Sequence, residues 1–443
     1  MLVAFGMIGT SLSGVTFISV PGTIGTNHFT YFQVVLGYFI GYFVVAYVLL
    51  PLYYKLNLTS IYHYLHQRFG VYSYKTGALL FIVSRTLGAT LRLYLVINVM
   101  QLFILDALGI SFITTTVFIL LMILLYTFKG GVKTIVWTDT LQTFFMLLAL
   151  VVCVIYIMSS LNIGFSEAFS RLNNLGYTEI FNFNTLDKKF FLKQVIGGAF
   201  ITISMTGLDQ EMMQKNISVK KLGDSQKNMI TFSSIMVIVN FLFLFLGGLL
   251  YLFAQDKGLA VKGDDLFPTV ALQYLPPIIS VIFIIGLISA LFPSADGAIT
   301  ALTSSFCIDI LGLNRNKNLT EEQQSKTRIA VHLTFAAIFL LFVLYFKWLD
   351  NKSIINILLD IATYTYGPLL GLFAFGILTK KAVNDRFAPV VCIAAPVFSY
   401  CLQQFSTSLL GGYQIGIEML IINGLLTFLG LLAISQKREN QLL

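Results

Sequence analysis

Apolar residues run almost without interruption for about 20 positions at a time, which is the length a helix needs to cross a bilayer core. Each run stops at a short polar or glycine-rich cluster. Twelve runs can be marked, roughly 3–20, 30–53, 74–104, 111–128, 134–158, 191–209, 228–254, 271–311, 328–346, 353–378, 386–407 and 413–435. In lipid only helices and closed barrels satisfy the backbone. Barrel strands are short and alternate between two faces, whereas these runs are continuous. The pattern therefore predicts an all-α polytopic membrane protein, with residues 1–443 forming a single transmembrane domain and no separate soluble part.

Two runs are interrupted by glycine and hydroxyl residues. The first carries Gly9-Thr10-Ser11-Leu12-Ser13-Gly14 and the sixth Ser204-Met205-Thr206-Gly207. Interrupted helices in corresponding positions of two halves are a sequence pointer to a transport site. Here they open the first and sixth runs. That predicts an inverted repeat of five plus five helices, about 3–158 and about 191–378, with two additional C-terminal helices in about 386–435. Broken turns expose carbonyls and helix ends, which suit a dehydrated hard cation. The alternative is ordinary packing of small residues between helices.

Composition agrees with the pattern: 57% of the 443 residues are hydrophobic and 11% charged, against about 25% charged in soluble domains. The net charge of +8 suggests nucleic acid only until the charges are placed. With alternate loops on opposite sides, 18 of the 28 basic residues fall on one side and eight on the other, leaving Arg85 and Arg92 within a helix. Lys215 is counted on the richer side. The positive-inside rule puts that side, and both termini, in the cytoplasm, as expected for a multi-pass protein of the plasma (inner) membrane. The four cysteines, Cys153, Cys307, Cys392 and Cys401, show no paired spacing and read as packing residues. The apolar start reads as a first helix rather than a signal peptide, for want of a basic leading segment and a cleavage site.

Six stretches taken in order resemble the sodium/solute symporter family, whose members carry sugars, proline, vitamins, carboxylates or sialic acid together with sodium. They are Ser11-Leu12-Ser13-Gly14-Val15-Thr16-Phe17 with Pro21-Gly22, then Thr59-Ser60-Ile61-Tyr62-His63-Tyr64-Leu65-His66-Gln67-Arg68-Phe69-Gly70, then Gly130-Gly131-Val132-Lys133-Thr134-Ile135-Val136-Trp137-Thr138-Asp139-Thr140-Leu141-Gln142. Gly207 through Lys215, the eighth-run segment ending at Asp309, and Gly367-Pro368-Leu369-Leu370-Gly371-Leu372-Phe373 follow. The third, like the family's G-G-x-x-x-V-x-W-T-D-x-x-Q, is the most specific. The resemblance implies a LeuT-type fold, with sodium as coupling ion and no other cofactor. It also implies a further family helix ahead of the repeat, expected to be missing from this sequence.

By the same resemblance a sodium ion lies between the broken first helix and the eighth. Its ligands fall on the carbonyls of Gly9 and Leu12 and on Ala290, Pro293 and Ser294. Pro293 departs from the serine usual there. A helical proline frees the carbonyl four residues back, that of Ser289, which could substitute; the alternative is a plain kink. In some members the aspartate of W-T-D helps hold a second sodium with eighth-helix hydroxyls. That makes Asp139 and Asp296 candidates for a second ion, sodium or a proton, since two nearby carboxylates repel unless a cation or proton lies between them. A carboxylate at membrane depth is a functional candidate by default; the alternative for Asp139 is a pair with Lys133 or another base. His332 reads as a packed, satisfied residue, and Asp360 is left unassigned.

Arg85 and Arg92, seven apart, share one face of the third helix and face the bundle rather than lipid. Arginine grips carboxylates bidentately, and in the sialic-acid branch a third-helix arginine holds the substrate carboxylate. The alternative is an ion pair with Asp139, Asp360 or another acid. Ser11, Ser13, Thr16 and Gln33 are the remaining substrate-binding candidates, with Tyr31 or Phe32 as an aromatic wall. No nucleotide, zinc-protease or hydrolase motif is present, so neither an enzyme nor an ATP-driven pump is expected. The expectation is a sodium-coupled symporter that imports a small organic solute, a carboxylate or sialic-acid-like anion, by alternating access. Its partners are that solute, sodium ions and the lipid bilayer, not nucleic acid. A sugar or polyol symporter is the first alternative; a transporter-like sensor or scaffold is another, and a membrane-embedded enzyme the most remote.

Overall fold

The computed structural model describes residues 2–58, 60–315, 318–349 and 354–436, with side chains described throughout these except at 2–3, 128–136, 314 and 354–355. All twelve expected runs fall on helices. Among the described residues eight helices are long and apolar enough to cross a membrane, or up to ten when each of two bent pairs is taken as one span. In chain order we label the helices α1 (Ala4–Ser11 with Gly14–Gly22), α2 (Ile24–Leu56), α3 (Val71–Leu108), α4 (Phe112–Thr127) and α5 (Trp137–Ser160). They continue as α6 (Phe191–Gly207 with Gln210–Ile217), α7 (Leu222–Asp256), α8 (Pro277–Ile310), α9 (Glu321–Leu349), α10 (Asn356–Leu378), α11 (Asp385–Leu409) and α12 (Met419–Ala433). Of these, α12 is shorter than a full span, at 10–17 residues, and α4 and α5, expected as two separate runs, are the two ends of one continuous helix over Phe112–Ser160.

The expected breaks are real bends, of 56° in α1 and 68° in α6. In α1, Ser13 is extended (φ −106°, ψ 177°) and starts the second half. Gly14 follows because the turn meets α3: a Cβ there would collide with the side chain of Val96. In α6 the break ends at Asp209, whose carboxylate caps the second half by accepting from the Met212 amide at 3.1 Å. The carbonyls released by that break are not left bare. Tyr53 and Tyr62 donate their hydroxyls to Gly207 O and Leu208 O, both at 2.8 Å, as buried backbone acceptors require.

Small residues set the close approaches. Gly37 and Gly198 let α2 and α6 touch backbone to backbone, since a Cβ on either would strike a carbonyl of the other helix. Gly286 on α8 faces Ala149 on α5, and Gly367 and Gly371 on α10 face Asn423 and Thr427 on α12.

Three boundaries depart from the expectation. The eighth run was expected from 271, but α8 starts at Pro277. Pro276 takes an extended ψ of 150° ahead of it, and Leu266–Thr269 forms a separate short helix; the two prolines supply no N–H to bridge them. The sixth run continues past 209 to Ile217, because the Asp209 cap restarts it. A two-residue antiparallel bridge, Ala382–Val383 with Ser435–Gln436, interrupts the all-α rule. The Gly130–Val136 part of the most specific stretch, Lys133 with it, lies outside the described side chains, and Thr59 lies outside the described residues.

Candidate functional site

The bends of α1 and α6 open onto a cavity of about 110 Å³. Its wall takes Thr10, Ser11, Ser13 and Thr16 from α1, Arg85 and Arg92 from α3, and Thr202, Met205 and Thr206 from α6, with Asn240 from α7 and Leu358 and Leu359 from α10. Helix α2 contributes Tyr31, Tyr38 and Tyr42. Polar groups thus converge from several helices in an otherwise apolar shell, the usual make-up of a small-molecule site. A second cavity of about 330 Å³, with Lys188, Lys189, Gln194, Asp360, Gln403 and Gln414 in its wall, shares Tyr31 and Leu359 with the first. Those two side chains stand between the chamber and this vestibule.

Of the substrate candidates, Ser11, Ser13, Thr16, Arg85 and Arg92 line the chamber and Gln33 does not. Fully buried elsewhere, Gln33 donates to Thr30 O at 3.1 Å and Lys189 O at 3.3 Å and accepts from the Asn182 amide at 3.2 Å, pinning the outer loop. The helical register explains the difference. Positions 31, 38 and 42 are spaced by seven and four, so they share one face, and 33 points elsewhere. Tyr31 is the aromatic wall; Phe32 packs edge-on against Phe241. The hydroxyls of Tyr31 and Tyr38 lie 3.5 Å apart.

The two arginines have different surroundings. Arg85 is buried and its guanidinium donates to the Glu211 carboxylate, with Asp209 at 3.8 Å. Among the described residues no carboxylate lies within 4.0 Å of Arg92; the Nε of each arginine is buried without a hydrogen-bond partner. Arg85 thus fits the expected alternative of a structural ion pair, though its partners are Glu211 and Asp209 rather than Asp139 or Asp360.

The expected ion ligands come from helices that pack together: α1 against both α5 and α8. Leu12, Ala290, Pro293 and Ser294 are all buried, and Ser294 Oγ has no hydrogen-bond partner. That unspent hydroxyl is suited to a hard cation. Gly9 packs against Asp139 and Thr143 of α5. The residues present therefore fit a sodium ion by donor type: backbone carbonyls at a broken turn and a free hydroxyl.

Asp139 and Asp296 do not share a simple pair. Lys215 reaches Asp139 Oδ2 at 2.8 Å and Glu211 Oε1 at 3.2 Å, and Thr10 donates to the same Asp139 oxygen at 3.3 Å. Asp296 accepts from Tyr126 at 2.6 Å. Counting Lys215 among cytoplasmic loop charges was therefore wrong: its side chain is 3% exposed, because a partnered ammonium can be buried where an unpartnered one cannot. The roles of Glu211, Lys215, Tyr38, Tyr42 and Asn240 were not read from the sequence. The Glu211–Lys215 spacing of four at the end of an apolar run was the available signal. His332 is satisfied as expected, between the hydroxyls of Thr127 and Thr303 at 3.1 Å each. Asp360 lies exposed in the vestibule wall.

Known proteins place this architecture. Over 406 residues the chain is 26% identical to the sodium/sialic acid symporter NanT of Aliivibrio fischeri, covering 89% of this chain and 78% of that one. It is 24% identical over 413 residues to the sodium/sialic acid symporter SiaT of Proteus mirabilis, at 91% and 81% coverage. To the sodium-coupled monocarboxylate transporter 1 of Mus musculus it is 28% identical over 399 residues, at 86% and 62%. In fold it is similar to a substrate-bound, outward-open Na⁺-coupled sialic acid symporter, with a TM-score of 0.83 at 21% identity over 98% of this chain and 90% of that one. A nucleobase-cation-symport-1 family transporter in a closed conformation is more distant, with a TM-score of 0.59 at 13% identity over 98% and 90% of the two chains. The profile of the sodium:solute symporter family matches residues 1–388, a stretch that carries both broken helices and the whole wall of the chamber, and the chain belongs to that family.

Proposed function

We propose that the chain is a sodium-coupled symporter of the plasma (inner) membrane that imports a small organic anion, a carboxylate or sialic-acid-like solute, by alternating access. Both termini are cytoplasmic on this reading, and the two halves form an inverted repeat of five plus five helices. One observation carries the choice of substrate: Arg92 faces the chamber with no acidic partner among the described residues, while Arg85 is already neutralised by Glu211. A permanently ionised guanidinium in a bundle needs a counter-charge, and a solute carboxylate supplies one. The hydroxyls of Ser11, Ser13 and Thr16 and the tyrosine face of α2 would take the solute's polar body. The names of the sodium/sialic acid and monocarboxylate relatives support an anion.

Sodium is held, in this proposal, by Gly9, Leu12, Ala290, Pro293 and Ser294. The ion supplies positive charge that ties α1 to α8 when bound, so that solute and ion favour the same arrangement of helices. One sodium falling through a tenfold gradient yields about 1.4 kcal/mol; the about 2.3 kcal/mol it gains through about 100 mV is cancelled by the charge of a monoanion moving with it, so one sodium supports about tenfold accumulation of a monoanion.

The test is uptake into proteoliposomes under an imposed sodium gradient, against a panel of sialic acids, monocarboxylates, neutral sugars and amino acids. Sodium-driven uptake of an anion, competed by carboxylates and not by sugars, is expected. Uptake of neutral sugars instead would transfer the assignment to the sugar or polyol alternative.

A further inference from the structure

Three oxygens surround the Lys215 ammonium: Thr10 Oγ1 at 2.5 Å, Asp139 Oδ2 at 2.8 Å and Glu211 Oε1 at 3.2 Å. They come from the first half of α1, from α5 and from the second half of α6. An ammonium has three N–H donors and no acceptor, so each donor is spent. The group is dry: Lys215, Asp139 and Glu211 side chains are 3%, 0% and 5% exposed. Carboxylate and hydroxyl oxygens gathered from separate helices at a broken turn are also the donor set of a bound hard cation. Here a cation fixed to the chain takes their centre.

The surroundings leave little for a second, mobile ion. Asp139 is neutralised through Oδ2, and a sodium on its Oδ1 would lie beside an ammonium of like charge. Asp296, the other carboxylate in this region, accepts from Tyr126 through Oδ2 and from the Gly297 amide at 2.5 Å through Oδ1. Both of its oxygens are therefore engaged. Ser294 Oγ and Asp139 Oδ1 are both buried without a hydrogen-bond partner, but Asp139 already carries the Lys215 ammonium on Oδ2, so between these two the α1–α8 position is the one whose open ligand has no fixed cation on its own group.

We propose that Lys215 is a built-in cation standing in for a second coupling sodium, so that each transport cycle moves one sodium per solute. The inference rests on the sodium-symport reading above. Its physical content is that Asp139 needs a positive charge in order to be buried between α1, α5 and α6, and the chain provides one that is never released. A tethered cation stabilises the closed packing without drawing on the gradient, and so contributes nothing to solute accumulation.

The deciding experiment uses the full chain in proteoliposomes at zero membrane potential, with the anion that passes the uptake panel. Accumulation at static head is measured against the sodium ratio. One coupled ion holds solute at about tenfold for a tenfold sodium ratio, and two hold it at about a hundredfold. A first-power dependence is expected for the unaltered protein; a second-power dependence overturns the inference and leaves sodium symport intact. Absence of sodium-driven uptake for every solute would instead strike the underlying reading. A second measurement needs no transport. Lys215→Ala leaves Asp139 without its cation, so its thermal stability in detergent should rise with NaCl and not with KCl by more than that of the unaltered protein, whereas Lys215→Arg should respond like the unaltered protein. Equal sodium responses in Lys215→Ala and the unaltered chain would overturn the proposal. If Lys215→Ala does not fold, the static-head dependence decides alone.

Discussion

Removing each α3 arginine in turn should separate a structural charge from a ligand. Arg85 and Glu211 are a buried pair, with side chains 7% and 5% exposed. Breaking such a pair costs about 3–5 kcal/mol, because the remaining charge is left dry. In Arg85→Ala, Glu211 keeps Lys215 at 3.2 Å, whereas Asp209 Oδ2 loses the guanidinium 3.8 Å from it and has no hydrogen-bond partner of its own. Partial rescue of Glu211 places the loss at the lower end, about 3 kcal/mol, or about 150-fold in the folding equilibrium. Arg92→Ala removes a charge that faces the chamber and breaks no described ion pair, so without ligand it should cost under about 1 kcal/mol. Its effect belongs to binding. Losing the two charge-assisted hydrogen bonds of the fork, at about 1.5–3 kcal/mol each, should weaken anion affinity by about 100-fold or more. Arg92→Lys keeps the charge but not the fork and should fall between. Equilibrium unfolding in mixed micelles reads the first effect, and anion binding by calorimetry at saturating sodium the second. If Arg92→Ala proved as destabilising without ligand as Arg85→Ala, and no anion stabilised the unaltered protein, the assignment of Arg92 as ligand would be refuted.

Other substitutions probe the ion site and the packing. Ser294→Ala removes a buried, unspent hydroxyl; it should shift the sodium activation curve to higher concentration while leaving solute affinity at saturating sodium within about threefold, and an unmoved curve would misplace the ion. Asp139→Asn deprives Lys215 of its shortest carboxylate contact, at 2.8 Å; it should cost about 1.5–3 kcal/mol of stability and lower the maximal uptake rate, with the sodium-to-solute ratio unchanged, so a fallen ratio would restore Asp139 as a second-ion ligand. Gly198→Ala drives a methyl group into Val34 O on α2 and should destabilise by about 1–3 kcal/mol, read in the same micelle titration; a neutral result would mean that the α2–α6 contact is looser than described.

The sequence alone determined the solvent, the helical character of the apolar runs and the two breaks, because each is a local property. A run of apolar residues must be helical in lipid, and glycine with hydroxyl residues at 9–14 and 204–207 weakens a helix wherever it is. Family membership was legible for a related reason, since its motifs are short stretches of chain. Tertiary structure decided the pairing of charges. Nothing local distinguishes Arg85 from Arg92, one face apart by seven residues; what separates them is that the second half of α6 brings Glu211 to one and not to the other. The misreading of Lys215 has the same origin. Near the end of an apolar run it counts as a loop charge, until the 68° bend of α6 turns it toward Asp139, which is 76 positions away in sequence. Gln33 left the chamber and Tyr38 and Tyr42 entered it because helical register sets which side chains face inward, and the register of α2 is fixed by glycine contacts with α6. Buried charges are costly enough that their positions are set by partners, and those partners lie on other helices.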